Sequence, residues 1–188
     1  MQYYMEEYRK YVEITGLKNI AFTKAEDFLK ANRKRATQDL DVQFFDAQLI
    51  ATQEHLYFAT LNALQAFKTK TNISKCLAVE TILYASAQRQ IQKAIEHCGI
   101  KPQTKDMAVL IISENPEQIQ TTLQTIKACV RAEPDERVLE ITESKETKIK
   151  KDFEITDKEL ETVVKEGDKK NAIVNLVIER VALLATQL

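Results

Sequence analysis

Apolar positions along this chain recur with two different periods, and the change from one to the other predicts a mixture of helices and strands. From Tyr8 to Ile20 the pattern alternates in part and breaks at Gly16, which predicts an edge strand followed by a turn. Thr23 then stands as an N-cap with Glu26 three residues on, a capping box ahead of the stripe Ala25, Phe28 and Leu29. Arg33, Lys34 and Arg35 close that helix with cations suited to its negative end. Val42 to Ala51 is rich in aromatic and aliphatic residues, interrupted by Asp46, and predicts a strand crossing the sheet. From Thr52 the spacing becomes three and four, with Leu56, Thr60, Ala63, Leu64 and Phe67 on one helical face, followed by the polar linker Lys68 to Asn72.

Ser74 is placed to cap a second helix through Leu77, Ile82 and Leu83, apolar on most sides and therefore central. After SAQRQ, the positions Ile91, Ala94, Ile95 and Cys98 mark a helix face that Gly99 closes as a left-handed C′ residue. Met107 to Ile112 is an unbroken apolar run, the expected sheet centre. Asn115, Pro116 and Gln118 supply the start of a helix carrying Ile119, Leu123 and Ile126, and a short strand is expected over Val138 to Ile141. From Thr142 to Gly167 the chain reads as half-exposed helix, with a capping box at Thr156 and Glu159. The helix Asn171 to Ala185 is apolar nearly all round and is expected to pack deep against the sheet. These elements amount to one α+β domain over residues 1–188, helix-rich, with a mostly antiparallel sheet of about four or five strands.

Composition narrows the chemistry. The first ten residues carry four charged side chains with no apolar run behind them, which predicts neither a secretory signal nor a transit peptide and places the protein in the cytoplasm. The most apolar stretch, Ala172 to Leu184, contains Glu179 and Arg180 and falls short of the ~20 residues a membrane span needs. Cys76, Cys98 and Cys129 are widely spaced and read as reduced packing residues. The only glycines are Gly16, Gly99 and Gly167, so no P-loop, dinucleotide fingerprint or nucleophile elbow can be written, and His55 and His97 are too few for a histidine-rich metal site. No cofactor or metal is expected. A formal net charge of −1 means that any contact with a polyanion must come from a local basic patch.

Glu80 interrupts the apolar run LAVETILY, where an unpaired charge is costly. It either reaches solvent or a partner such as Arg89 or Arg180, or belongs to a functional site.

From Glu80 to Ile95 the sequence reads ETILYASAQRQIQKAI, preceded by FFDAQLIATQEHLYFATLNALQAF and NISKCLAVE and followed by HCGIK and, near the end, VIERVALL. These segments, in this order over essentially the whole chain, resemble the smallest core subunit of the KEOPS (EKC) complex, the PRPK-binding protein family, in its archaeal form. Ala87 stands where that family usually has glycine. The resemblance implies a subunit without catalysis of its own, which binds the small atypical kinase or ATPase of the complex and helps recruit tRNA, notably its 3′ CCA end, for threonylcarbamoyl-adenosine formation; no membrane and no small-molecule substrate is implied. Carried onto this chain, the kinase-binding candidates are Arg89, Ile91, Ala94, Ile95 and Cys98. The stripe on its own reads as core, and the resemblance turns part of it, Ile95 and its neighbours, into partner surface. The RNA-binding candidates are Lys68, Lys70, Lys75 and Arg89, with Arg33, Lys34 and Arg35. Two other readings stay open: a small enzyme with an unconventional site around Glu80, Ser86 and Arg89, and a scaffold with no RNA contact.

Overall fold

The computed structural model describes residues 1–35, 39–165 and 167–186, apart from the side chains of residues 31–35. Its sheet has four antiparallel strands, β1 (Gln2–Met5), β2 (Lys10–Leu17), β3 (Leu40–Asp46) and β4 (Met107–Ser113), in the order β1-β2-β4-β3. The expected α+β, helix-rich class is what forms. β4 is buried at every position. It serves two cores by strand alternation. Met107, Val109 and Ile111 face α1 (Phe22–Arg35) and α5 (Pro116–Val130), while Ala108, Leu110 and Ile112 face α2 (Gln53–Thr69) and α3 (Leu77–Ala85).

The first strand segment departs from expectation in an informative way. β1 is the edge, β2 is interior, and Gly16 lies inside β2 opposite Ala108 rather than in a turn. A Cβ at Gly16 would stand 2.5 Å from Val138 Cγ2 and 2.6 Å from the Asp135 carbonyl oxygen. Glycine therefore lets the 135–138 segment lie directly on the strand, where Asp135 N–H donates to the Gly16 carbonyl at 2.9 Å. That segment is a 3-10 turn over Glu136–Leu139, not the expected strand, because the Asp135 carboxylate accepts from Arg137 N–H and starts the turn.

β3 stops at Asp46 and lies at the other edge of the sheet, so the segment to Ala51 does not cross it. The Asp46 carboxylate accepts from Gln48 N–H at 3.0 Å and turns the chain into a 3-10 turn over Ala47–Leu49. α1 begins at Phe22, which puts Thr23 inside the first turn, and Glu26 pairs with Lys30 at 2.7 Å. α2 starts at its expected N-cap Thr52, but runs through Thr69 and ends on Lys70 in the left-handed region, so the linker is shorter than the polar run suggests. The N-cap of α3 is Cys76; a carboxylate from outside the local sequence, Asp41 of β3, accepts from Ala78 N–H at 3.2 Å in place of Ser74.

Beyond α2 lies a further helical layer, α6 (Glu143–Asp152), α7 (Asp157–Val163) and α8 (Lys169–Leu183). The capping box at Thr156 and Glu159 is formed. α8 packs mainly on α2 and α7 rather than deep against the sheet: Ala172, Ile173 and Val177 fill a third apolar cluster, and only Val181 and Leu184 reach the one shared with the strands. No helix among the described residues is long and apolar enough to cross a membrane.

Candidate functional site

The segment linking α3 to α4 (Ile91–Cys98) is built from the end of α3 outward. Ala87 N–H donates to the Tyr84 carbonyl and Gln88 N–H to the Leu83 carbonyl, both at 3.0 Å, with Ala87 left-handed at φ 51°. This is a Schellman stop whose C′ residue ordinarily is glycine. Alanine keeps the bend and carries its strain. Ala87→Gly should raise the unfolding free energy by about 1 kcal/mol, read as a shifted urea midpoint with unchanged slope.

Beneath this stop the Ala85 carbonyl is held by His55, whose Nε2 donates to it at 2.8 Å while Nδ1 accepts from Ala51 N–H at 3.1 Å. Burial drives the His55 pKa down to about 4, which keeps the ring neutral in that bonding pattern. His55 and His97 both pack edge-on to Phe153, so both histidines are packing residues. No group of three or more His, Cys, Asp or Glu among the described residues is placed to hold a metal.

The stripe on α4 is divided by this support. Ala94 and Cys98 are fully buried, and burial pushes the Cys98 thiol far up. Ile91 and Ile95 are 40% and 42% exposed, unusual for isoleucines on a helix seated against a core. Small side chains thus let α4 approach α3, and the two isoleucines are turned outward beside exposed Arg89. Gly99 ends the helix in extended backbone, φ −72°, not in the left-handed region; a Cβ there would lie 2.4 Å from the Ile95 carbonyl oxygen. Ile95 also lines a groove of about 230 Å³ with Leu29 of α1, Phe44 of β3, Val79 and Ile82 of α3, and Ile100. Together they make a half-exposed apolar ridge with a groove beside it.

The basic candidates do not converge. Lys70 and Lys75 are exposed at the loop joining α2 to α3, whereas Arg89 lies past the far end of α3, roughly 13 Å of helix away. Lys68 is bound to Glu7 at 2.5 Å and lies over the Tyr8 ring. The side chains of Arg33, Lys34 and Arg35 lie outside the described residues.

Glu80 is buried and reaches neither solvent nor an arginine. Its carboxylate accepts from Ile73 N–H at 3.1 Å and Ser74 N–H at 2.6 Å, which ties down the α2–α3 loop. Arg180 pairs with Glu159 instead. The Ser86 hydroxyl donates back to the Ile82 carbonyl at 2.8 Å. Two of the three groups invoked for an unconventional enzyme, Glu80 and Ser86, are thus occupied by backbone, one in the first turn of α3 and one at its C-cap. Cys76 is exposed and Cys129 partly so, leaving Cys98 as the cysteine that is wholly a packing residue.

Two lysine features escaped the pattern. Lys145, 1% exposed, donates from Nζ to the Val138 carbonyl at 3.0 Å and the Glu140 carbonyl at 3.3 Å, and burial brings its pKa down to about 7. Lys101, Lys105, Lys148 and Lys151 line one pocket of about 490 Å³. The spacing of Lys148 and Lys151 puts them on one face of α6, but only the tertiary fold brings the 101–105 segment to it.

Residues 17–185 match the family model described as kinase binding protein CGI-121. Regulatory protein Cgi121 of Methanocaldococcus jannaschii is 37% identical over 116 residues, covering 62% of this chain and 72% of that protein.

Proposed function

The chain belongs to the CGI-121 family of kinase-binding proteins, and from that premise we propose that it is a non-catalytic cytoplasmic subunit with two partners. A small atypical kinase or ATPase docks on Ile91, Ile95 and Arg89, and tRNA is recruited through its 3′ CCA end for threonylcarbamoyl-adenosine modification in a KEOPS-type assembly. Ala94 and Cys98 act in this from below, by seating the helix that presents the isoleucines.

The observation that carries the proposal is the outward pair Ile91 and Ile95 on a helix whose other stripe residues are buried. Two large aliphatic side chains beside a groove supply the kind of central apolar anchor on which protein interfaces concentrate their energy. A flanking arginine suits the rim of such a contact. RNA recruitment is the further part of the reading, supported by the family resemblance, and an unpaired 3′ end can be held without an overall basic protein.

Co-expression of the full chain with the kinase tests the first part: the two should co-elute as one complex in gel filtration. A gel shift comparing intact tRNA with tRNA trimmed of its 3′ CCA tests the second, and intact tRNA should bind more tightly. Separate elution overturns the kinase reading; equal binding of the two RNAs overturns recognition of the 3′ end; no shift with either leaves a scaffold without RNA contact.

A further inference from the structure

The pocket of about 490 Å³ between the Ala47–Leu49 turn, the 101–106 segment and α6 is lined by four lysines and three aspartates. Four lysines line it, and Lys101, Lys105, Lys148 and Lys151 have no carboxylate within 4 Å among the described residues. Lys150 of the same helix is paired, with Asp157 at 2.5 Å. Free lysines converging on a cavity face mutual repulsion, which an anionic ligand relieves.

The carboxylates in the same lining do not quench them. Asp46 accepts from Gln48 N–H at 3.0 Å with one oxygen and from the Thr104 hydroxyl at 2.9 Å with the other. Asp106 accepts from Asn19 N–H at 3.0 Å. Both also interact electrostatically with buried Lys145 behind them. Asp46 and Asp106 are thereby engaged on the protein side of the pocket; Asp152, at the end of α6, is the third carboxylate of the lining and forms no ion pair within 4 Å with any of the four lysines, which outnumber the acids. The wall is also firm: Lys101 N–H donates to the Thr104 hydroxyl oxygen and Thr104 N–H to the Lys101 carbonyl, each at 2.9 Å, closing a turn with Thr104 buried.

The lining holds no aromatic residue, and Leu49 is its only large apolar one. Such a site can neutralise phosphates but cannot stack a base. We propose that this pocket binds a run of phosphate groups without regard to base identity, the source being either an RNA backbone or a free oligophosphate. The RNA source rests on the tRNA reading above; the phosphate chemistry does not. The placement also favours joint use with the kinase surface: Gly99 and Ile100 line the apolar groove, and the next residue, Lys101, lines this pocket. A phosphate chain lying here would pass beside whatever covers Ile95.

The test compares three forms of the full chain: the wild type, the variant Lys101→Ala/Lys105→Ala/Lys148→Ala/Lys151→Ala, and Lys158→Ala/Lys170→Ala, two exposed lysines outside the pocket. Each is titrated with inorganic tripolyphosphate by calorimetry and with labelled tRNA by anisotropy at several salt concentrations. The fourfold variant, with native circular dichroism, should lose at least tenfold in tripolyphosphate affinity. Its tRNA affinity should fall as far, and the slope of log affinity against log salt should become shallower by about 3, on the basis of about 0.7 per phosphate contact on a single strand. Lys158→Ala/Lys170→Ala should bind both probes as the wild type does. If the fourfold variant misfolds, Lys148→Ala and Lys151→Ala, both exposed on α6, should each weaken tripolyphosphate binding several-fold. Tripolyphosphate binding by a wild type that ignores tRNA supports the pocket, with a free oligophosphate as its source, and removes the tRNA reading instead. A wild type that binds no tripolyphosphate, or pocket variants that bind it unchanged, overturns the proposal.

Discussion

Ile95→Glu should abolish capture of the kinase and leave the fold of the free chain unchanged. With Ile95 42% exposed, a glutamate at that position can keep its head in water, so the free protein should lose well under 1 kcal/mol. Once a partner covers the ridge the same carboxylate is desolvated without a cation, at a cost of several kcal/mol, and the isoleucine contact is lost as well. A combined loss of about 4 kcal/mol is roughly a thousandfold in affinity, enough to remove the complex from a pull-down at micromolar concentration. The comparison that gives the result its meaning is Ala94→Glu. Ala94 is the preceding residue, fully buried on the inner face of the helix, and a carboxylate there should unfold the α3–α4 region instead. If Ile95→Glu retains native circular dichroism and still co-elutes with the kinase, the docking surface lies elsewhere. If it unfolds, Ile95 is core despite its exposure.

The contrast between those two positions marks how far the sequence could be read. The four stripe residues are equivalent by helical spacing, and by pattern alone the whole stripe reads as core. The boundary runs through it because α4 sits close on α3, and close approach is bought with small side chains. The sizes along the stripe, alanine and cysteine against two isoleucines, carry that information, whereas periodicity does not. Elements with local signals were legible: the MAVLII run became β4, and Asn115 with Pro116 opened α5 as expected, with the Asn115 carboxamide oxygen accepting from Glu117 N–H. What stayed hidden depended on distant partners. Gly16 reads as a turn until Val138 and Asp135 are found lying on it, and the cap of α3 comes from Asp41 on a strand no local rule could place beside it. The RNA candidates Lys70, Lys75 and Arg89 lie near the motif in sequence, and α3 holds the two lysines and the arginine at its opposite ends. The pocket lysines are separated along the chain and meet through α6.

Lys145 shows the same principle in a charge that local sequence disguises, and its burial predicts a stability that rises with pH. In ESKETKIKKD it looks like one more solvated cation, yet Ile141, Lys145, Ile149 and Phe153 recur every four residues and all four are buried. The ammonium is aimed at the Val138 and Glu140 carbonyls, among Asp46, Asp106 and Glu140, which favour its charge but do not offset its desolvation. Folded, the group loses its proton near pH 7; unfolded, it holds the proton to the ordinary lysine value of 10.5. Between these values the unfolded chain binds more protons, so raising the pH stabilises the fold. From pH 7 to pH 9 the gain from this residue should be about 2 kcal/mol. Cysteines and other groups also titrate over that range, so the measurement is the difference in urea-unfolding free energy between the wild type and Lys145→Met at each pH. That difference should move in the wild type's favour by about 2 kcal/mol across the two units. Parallel pH profiles would mean that the ammonium stays charged when buried, held by the two carbonyls and the nearby carboxylates. In that case Asp46 and Asp106 would remain countered from behind at alkaline pH. If the difference moves as expected, they lose that counter-charge above neutrality, and phosphate binding by the neighbouring lysines should weaken in the wild type as the pH rises from 7 to 9.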